Sequence, residues 1–344
     1  MIQARDDPVS VTIYINSALS LFFNILLLIV YFRCPLKKIK SYKYFFLLTV
    51  LEDFIFTASF VLLIPLVVSN SSFIIFFATG VDSGRIPGST LLSIFTLSFF
   101  TSLVLVTNSF LYRYLQLCRN DLFQRCSVKK TILIACLINL IITFNIAIAM
   151  YKVFWPDEEF VQLVTSTVSL PGVDIRTAAF IGFSLTNNLN TIDLLLLADL
   201  VVTVVLMVLV NVFCAKEIVS FLRNASSQSK TFMANQRHMF ILLLLQTACP
   251  LVFLQIPWFF SVVLLFCGIS TNTFTTGIIS ISISLYPISN PIVIMAFMKD
   301  YRNCILTNLK LRNPSQHMTE RLVHRNVLVV DTLQTASLRT SPSR

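Results

Sequence analysis

The sequence predicts an all-α membrane protein, a bundle of seven transmembrane helices followed by a short amphipathic helix. Three observations predict this class. Of the 344 residues, 56% are hydrophobic and only 12% are charged, which is about half the charged fraction of an ordinary soluble domain. The mean hydropathy is +0.81. Seven segments are apolar over roughly 20 residues or more, the length that a helix needs to cross a hydrocarbon core about 30 Å thick.

The predicted spans are separated by short polar connections, and none of these is long enough for a soluble domain. The apolar stretch 177–186 is only about ten residues long, too short to cross the bilayer as a helix, and is interpreted as part of a long loop. The sequence therefore predicts one bundle over residues 11–298, with spans at 11–33, 44–68, 90–114, 131–150, 192–214, 238–267 and 274–298.

The distribution of lysine and arginine predicts the orientation of these spans. Of the 26 basic residues, 22 fall at span ends and connections on one side of the membrane. Cytosolic connections carry the excess of lysine and arginine. Residues 1–10 are therefore expected outside the cell, and residues after 298 in the cytosol. The net charge of +10 follows from this bias, so nucleic acid is not an expected partner.

The segment 299–312 alternates basic with apolar residues, which is typical of a helix lying on the inner membrane surface. Cys304 within it is a candidate palmitoylation site. Residues 313–344 are predicted to be a disordered cytosolic tail. On the outer side, Asn70 begins the sequence Asn-Ser-Ser, a candidate glycosylation site.

Motifs for catalysis or metal binding are not found in the sequence. The seven glycines are dispersed, so no phosphate-binding loop is formed, and there is no Gly-x-Ser-x-Gly or His-Glu-x-x-His motif. The three histidines, His238, His317 and His324, lack metal-ligand spacing. An enzyme is therefore not expected, nor are catalytic residues, a metal or a cofactor.

Two adjacent acids, Glu52 and Asp53, are predicted inside the second span. They lie about 12–14 Å from its cytosolic start at 1.5 Å per residue. Charged groups at such depth are costly and are often functional. One of the two acids could bind a cation or act as a protonation switch. Alternatively, one of them is protonated or hydrogen-bonded to a neighbouring helix.

A cluster of candidate ligand-binding residues is predicted in the outer half of the bundle. Small-molecule sites are concave and mostly apolar, with few polar groups. Asp199 lies roughly 10 Å from the outer end of the fifth span and could contact a polar ligand or hydrogen-bond within the bundle. The aromatic candidates, which could instead face lipid or neighbouring helices, are Phe95, Phe99 and Phe100 on the third span and Trp258 and Phe259 on the sixth.

Prolines interrupt the last two spans. Pro250 and Pro257 fall in the sixth, and Pro287 and Pro291 in the seventh. Each removes a backbone hydrogen bond and favours a kink. Kinks here suit a bundle that opens at its inner face; the alternative, which proline alone favours, is a static kink.

Short motifs at the span ends resemble those of receptor families. Tyr112-Arg113-Tyr114 stands where rhodopsin-like receptors have Asp-Arg-Tyr, and Asn290-Pro291 resembles the start of their Asn-Pro-x-x-Tyr motif. Five stretches resemble, in order, nematode serpentine chemoreceptors of the Str superfamily, particularly class r. They are 41–44, 110–114, 155–159, 236–250 with Gln-x-x-x-Phe and Leu-x-Gln-Thr-x-x-Pro, and 285–302 with Tyr-Pro and Lys-x-Tyr-Arg.

The chain departs from this family pattern at two places. Asn290 stands where aspartate is usual, and Lys43-Tyr44 lacks the common preceding glycine. The loop 151–191 also has no cysteine, so the disulfide that many seven-span receptors form between the third span and this loop is not possible.

The resemblance implies a chemosensory, olfactory-type G-protein-coupled receptor in the plasma membrane, expected in the cilia of sensory neurons. Its implied partners are a small-molecule ligand from outside and a heterotrimeric G protein. Arg113, with Tyr112, Tyr114, Asn290 and Pro291, is the expected switch. An anchoring arginine at the helix end is the alternative for Arg113. A small-solute transporter or a ligand-gated channel is the alternative function.

Overall fold

The structure is a computed structural model and describes residues 8–33, 43–70, 72–80, 85–125, 128–168, 175, 178–184, 190–224 and 230–308. Residues 1–7, most of the predicted outer N-terminus, lie outside the described residues. So do residues 309–312 of the predicted surface helix, the predicted tail 313–344 and the side chain of Cys304.

Within the described residues, seven helical segments are long and apolar enough to cross a membrane, which confirms the predicted fold class. The first, second, third and fifth spans are single α-helices, whereas the fourth, sixth and seventh contain a π-helical turn or a break. The spans are α1 (Pro8–Arg33), α2 (Lys43–Leu63), α3 (Arg85–Cys118), α5 (Val128–Ala149) with a π-turn (Met150–Phe154), α7 (Thr191–Asn224), α8 (Lys230–Pro250) with a π-turn (Leu251–Gln255) and α9 (Ile256–Phe266), and α10 (Thr273–Ser284) with α11 (Tyr286–Phe297).

Short helices connect or follow these spans. They are α4 (Asn120–Arg125), α6 (Glu158–Thr167) and α12 (Lys299–Asn308). Asp157 begins α6, because its carboxylate accepts a hydrogen bond from the backbone N–H of Phe160 at 2.7 Å, as aspartate does at helix N-termini. Helix α12 lies at the start of the predicted surface segment, and its Tyr301 is fully buried at 6.4 Å from the ring of Phe46.

The second span is shorter than predicted, because α2 ends at Leu63 rather than continuing to residue 68. Ile64 has a φ of 43°, a left-handed conformation that leaves the helix. Proline at position 65 disfavours a helical conformation at the residue before it. The following residues, Pro65–Asn70, form a strand, β1. A hydropathy window does not distinguish these two outcomes, since the apolar residues are the same in both.

A three-stranded antiparallel sheet covers one end of the bundle, and the sequence did not predict it. Strand β2 (Phe73–Ala78) lies between β1 and β3 (Phe180–Ser184). Pro65 pairs with Ala78, and Phe73 pairs with Ser184. The stretch 177–186, interpreted above as loop, therefore contains a strand. We call this end of the bundle the sheet end, and the end with α12 the opposite end.

The sheet is buried on both faces. Alternate residues of β2, such as Phe73 and Phe77, pack with Phe160 and Val164 of α6. The residues between them, such as Phe76, join the core of the helical bundle. Strands buried on both faces read as continuous apolar runs rather than alternating patterns. This explains why the sheet was interpreted as part of a membrane span and a loop.

The β2–β3 pairing connects the segment after the second span to the segment after the fourth. This noncovalent link joins the long connection 151–191, which has no cysteine, to the bundle. Gly182 of β3 allows the close approach, because a Cβ there would lie 2.2 Å from the carbonyl oxygen of Ile74. Among the described cysteines, Cys118, Cys136, Cys214, Cys249 and Cys267 are free thiols.

The proline positions coincide with the irregular parts of the last two spans. Pro250 is the last residue of α8, directly before the π-turn, and Pro257 lies in the first turn of α9. Pro287 lies in the first turn of α11, just after the break at Leu285. A proline at the start of a helix needs no hydrogen bond from its missing N–H, so each helix restarts at its proline.

Candidate functional site

An apolar cavity, here called the aromatic cavity, lies between the third, fourth, fifth, sixth and seventh spans near the sheet end. Its volume is about 30 Å³, by a measure in which one water molecule needs about 10–15 Å³. It therefore admits only a very small molecule unless side chains move. The lining residues are Phe76, Phe95, Thr96, Phe99, Phe100, Met150, Phe154, Leu200, Leu254, Trp258 and Ile283.

Four of the six predicted ligand-binding residues line this cavity: Phe95, Phe99, Phe100 and Trp258. The three phenylalanines line one broad face of the helix, because Phe95 and Phe99 are four positions apart and Phe100 is turned about 100° beyond Phe99. Thr96 completes that face, and its hydroxyl donates to the carbonyl oxygen of Leu92 at 2.9 Å. The third span thus contributes the largest part of the wall.

Asp199 and Phe259 do not line the cavity. Each is one position away from a residue that does, Leu200 and Trp258 respectively, and one position turns a side chain by about 100° around a helix. Phe259 is 64% exposed on the outer surface of the bundle. Asp199 is also exposed, and its carboxylate accepts a hydrogen bond from Asn145 of the fourth span.

Seven lining residues were not predicted from the sequence, among them Phe76, Met150 and Phe154. Phe76 belongs to β2, while Met150 and Phe154 lie in the π-turn that extends the fourth span. The signal that could have identified Phe76 was the apolar, β-branched and aromatic run 73–78 next to the Asn-Ser-Ser turn, a pattern typical of a strand. Met150 and Phe154 carried no such signal, because their span ends irregularly.

Aromatic rings connect the cavity to the middle of the bundle. The ring centroid of Phe56 lies 5.0 Å from that of Phe95 in the cavity wall and 5.3 Å from that of Tyr286. These distances are typical of favourable aromatic pairs. The hydroxyl of Tyr286 then donates to Glu52 Oε2 at 3.1 Å. The contacts form a continuous packed path from the second and third spans to the seventh.

Glu52 and Asp53 form the central polar cluster together with Ser98, Tyr286 and Asn290. Glu52 is 5% exposed and Asp53 is fully buried. Ser98 donates to Glu52 Oε1 at 3.2 Å, and Asn290 Nδ2 donates to Asp53 Oδ1 at 3.3 Å. These hydrogen bonds to the third and seventh spans agree with the expectation of bonding to neighbouring helices. The cation and protonation hypotheses stay predictions.

A second, smaller cavity lies beside this cluster. Its volume is about 20 Å³, enough for about one water molecule. Glu52, Ser102, Gln246, Tyr286 and Asn290 supply its polar groups. The acids therefore lie next to a space where a water-sized molecule would find several hydrogen-bonding partners.

Pro291 shapes the seventh span through the hydrogen bond that it cannot make. Residue 291 has no N–H, so the carbonyl of Pro287, four residues earlier, loses its usual helical donor. Two side chains of the first span take its place. Asn24 Nδ2 donates to Pro287 O at 3.1 Å, and Ser20 Oγ donates to it at 3.3 Å. The first span therefore compensates for the proline.

Arg113 is buried near the opposite end of the bundle, with 4% of its surface exposed. Its Nη1 atom donates to Gln236 Oε1 of α8 at 3.4 Å and to Gln116 Oε1 at 3.5 Å. Both distances are at the long end of the hydrogen-bonding range. The side chain thus lies between the third and sixth spans rather than extending outward from the helix end.

The two tyrosines beside Arg113 contact other elements. Tyr112 packs between Phe45 of α2 and Phe123 of α4, with ring centroids 5.4 Å and 5.7 Å away. The ring of Tyr114 lies 5.7 Å from that of Phe213 on α7. The sequence Tyr-Arg-Tyr therefore connects the third span to the second, fifth and sixth spans and to α4.

Asn70 is the last residue of β1, and its Oδ1 atom accepts a hydrogen bond from Ser270 at 2.6 Å. Nearby, the backbone N–H of Thr271 donates to Ser69 O at 2.8 Å. The candidate glycosylation site thus lies at the sheet end, next to the connection between α9 and α10. Residue 71 of the sequon lies outside the described residues.

The fold is that of a multi-pass membrane protein with a bundle of seven candidate spanning helices. The family model described as serpentine type 7TM GPCR chemoreceptor Str matches residues 9–306, from the first span into α12. The chain therefore belongs to the Str family of serpentine chemoreceptors, which confirms the resemblance noted from its motifs. Families of G-protein-coupled chemoreceptors are generally not enzymes. A comparison with curated proteins gives no match.

Proposed function

We propose that this chemoreceptor binds a small molecule from outside the cell in the aromatic cavity and activates a heterotrimeric G protein at the opposite end. One observation carries the proposal. The third and sixth spans each contribute to both places, with Phe99 and Trp258 at the cavity and Arg113 and Gln236 at the other end. A ligand that moves these spans apart or together would change both the aromatic cavity and the contact between Arg113 and Gln236.

The sixth span contains the segment that would move in this proposal. Its π-turn, Leu251–Gln255, lies between Gln236 and Trp258 and directly follows Pro250. Prolines and π-turns weaken the regular hydrogen-bond ladder of a helix. Movement at this turn would let α8 swing without displacing α9, so that filling the cavity near Leu254 and Trp258 favours another arrangement of α8.

The contact between Arg113 and Gln236 fits a resting state. The hydrogen bond from Arg113 Nη1 to Gln236 Oε1 is long at 3.4 Å, which indicates a weak link between the two spans. Movement of α8 away from α3 would free the guanidinium, and its five N–H groups could then reach a carbonyl of the G protein. The same movement opens a groove for that partner between the spans.

The proposed orientation has the sheet end outside the cell and α12 on the cytosolic membrane surface. It is supported by the excess of lysine and arginine in the connections at the opposite end, as cytosolic segments usually have. Family membership supports a plasma membrane location, with sensory cilia as the expected compartment.

A ligand panel applied to cells that express the chain, with calcium imaging as the readout, tests the proposal. We expect at least one small neutral compound to give a response that Arg113→Ala abolishes while surface expression persists. Purified protein in lipid vesicles, without G protein, should give neither current nor uptake of that compound. Flux in these vesicles would instead establish a channel or transporter and overturn the proposed function.

A further inference from the structure

One surface of the bundle, on the fourth and fifth spans, combines exposed aliphatic residues with a polar pair. We call it the lateral seam. It is far less buried than the rest of the bundle, since 17% of the fourth span and 11% of the fifth are buried, against 39% or more in each of the others. The seam comprises Ile138, Ile141, Asn145 and Ile148 on α5, and Leu195, Asp199, Val202 and Leu206 on α7.

The polar pair lies at membrane depth. Asp199 is about 12 Å along α7 from Thr191, and residues 194–198 and 200–210 around it are almost entirely apolar. Asn145 donates a hydrogen bond to its carboxylate. An aliphatic surface alone would be explained by contact with lipid. Contact with lipid does not explain an exposed carboxylate, because acids within spans almost always face protein or water.

On each helix the seam residues form one stripe, which is part of a wider exposed surface. On α5 they follow one another at intervals of three, four and three residues, and on α7 at four, three and four. Alternating intervals of three and four place side chains on one stripe that packs against another helix. Each stripe has one polar residue, and the two polar residues meet. Single polar residues in such stripes set the register between helices.

The pair is also self-complementary. The Asn145 amide has two N–H groups, and a carboxylate has about four acceptor positions, so the hydrogen bond between them leaves capacity on both side chains. A twofold axis beside the seam would bring Asn145 of one copy to Asp199 of the other, and the reverse, in the isologous arrangement usual for dimers. A partner of another kind would need its own donor at this depth.

We propose that the lateral seam binds a second copy of this chain, with Asn145 and Asp199 exchanging hydrogen bonds across the interface. The proposal does not depend on the ligand or on G-protein coupling. Polar side chains that hydrogen-bond between membrane helices strengthen their association. The dimer would cover both polar side chains and exclude lipid from the carboxylate.

Resonance energy transfer between two differently tagged full-length copies in cell membranes tests this. Asn145→Asp puts two acids on each seam, and we expect it to reduce self-association by about tenfold. Asp199→Asn puts two amides there. Co-expression of the Asn145→Asp copy with the Asp199→Asn copy should restore transfer, because each acid then meets an amide on the other chain. Asp193→Leu, which removes a different acid from the same helix, is the matched control and should leave transfer unchanged.

Rescue between copies separates the dimer from a role within one chain. If the pair acts only within one chain, co-expression leaves the Asn145→Asp copy as weak as when it is alone, and that result overturns the proposal. Transfer that stays at wild-type strength in Asn145→Asp, at equal surface expression, also overturns it. The proposal is also overturned if the wild-type chain forms a complex with a different membrane protein and shows no resonance energy transfer between its own copies.

Discussion

At the scale of single residues, Trp258 and Phe259 are neighbours with opposite surroundings. Trp258 lines the aromatic cavity, whereas Phe259 is 64% exposed on the outside of the bundle. Both were predicted to contact ligand, since both are aromatic and lie in the same half of one span. Their difference arises from rotation around the helix axis, and it provides a matched pair of substitutions.

We expect Trp258→Ala to raise the ligand concentration for half-maximal response by roughly 10- to 100-fold, because burying a large apolar side chain against a ligand contributes about 1.5–3 kcal/mol. Phe259→Ala should change it by less than about threefold. Dose–response curves for a compound active in the ligand panel measure both. Equal effects of the two substitutions would contradict the assignment of the aromatic cavity as the binding site.

At the scale of secondary-structure elements, the first and seventh spans are joined by a hydrogen bond that a proline makes necessary. Asn24 donates to the carbonyl of Pro287, which lacks its helical donor because residue 291 is also proline. A local feature of one helix thus determines which polar residue its neighbour needs. This relation can be tested by a double-mutant cycle.

We expect Asn24→Ala to reduce the free energy of unfolding by about 1–3 kcal/mol, because it removes a donor from a buried carbonyl. In a Pro291→Ala background the loss should be smaller by about 1 kcal/mol, since residue 291 then supplies an N–H to that carbonyl. Thermal unfolding of the four purified forms in detergent measures the coupling. Additive effects would show that Asn24 stabilises the bundle in another way.

The sheet is the second element whose contribution can be isolated. Gly182→Ala places a Cβ 2.2 Å from the backbone oxygen of Ile74, an overlap that only separation of β2 from β3 can relieve. We expect a loss of about 1–3 kcal/mol or more and a clear drop in surface expression. Gly277→Ala is the control, because its Cβ meets only the end of the Val9 side chain, at 2.9 Å. A tolerated Gly182→Ala with normal thermal stability would mean that the β2–β3 pairing is dispensable.

At the scale of the whole molecule, the bundle places an apolar cavity at the sheet end and a buried arginine near the opposite end. The central polar cluster of Glu52, Asp53, Ser98, Tyr286 and Asn290 lies between them and joins the second, third and seventh spans. Ring contacts through Phe56 connect the cavity to this cluster. Few of these contacts involve neighbours in sequence, so a change at one end reaches the other through packing between spans.

Gln236→Ala is expected to raise signalling without ligand by about fivefold, since losing one hydrogen bond of about 1 kcal/mol shifts the resting equilibrium by that factor. Gln116→Ala also removes an acceptor of Arg113, but Gln116 is on the same helix as Arg113 and does not link two spans. Its basal signalling should stay at the wild-type level. Basal second-messenger assays at matched surface expression distinguish these outcomes. A rise with both variants would indicate that loss of arginine hydrogen bonding, rather than release of the sixth span, causes activation.

The predictions from sequence succeeded where the decisive property is local. Seven stretches are apolar over enough residues to cross a membrane, and that alone determines the number of spans. Phe95 and Phe99 lie on one side of the helix because they are four positions apart, so their common face could be predicted. The family was identifiable because its motifs lie at span ends with compatible spacing, and the match over residues 9–306 confirmed it.

Tertiary structure decided what depends on residues far apart in the chain. Pro65–Asn70 forms a strand rather than the end of a helix because it pairs with β2. Which side chain contacts Arg113 depends on how the third and sixth spans pack. Asp199 faces outward to Asn145 rather than into the cavity for the same reason. Hydropathy averages over neighbours along the chain, whereas burial and hydrogen bonding are set by neighbours in space. Sequence alone therefore determined the seven spans and the receptor family, while the fold determined the cavity, the sheet that covers it and the contacts between the spans.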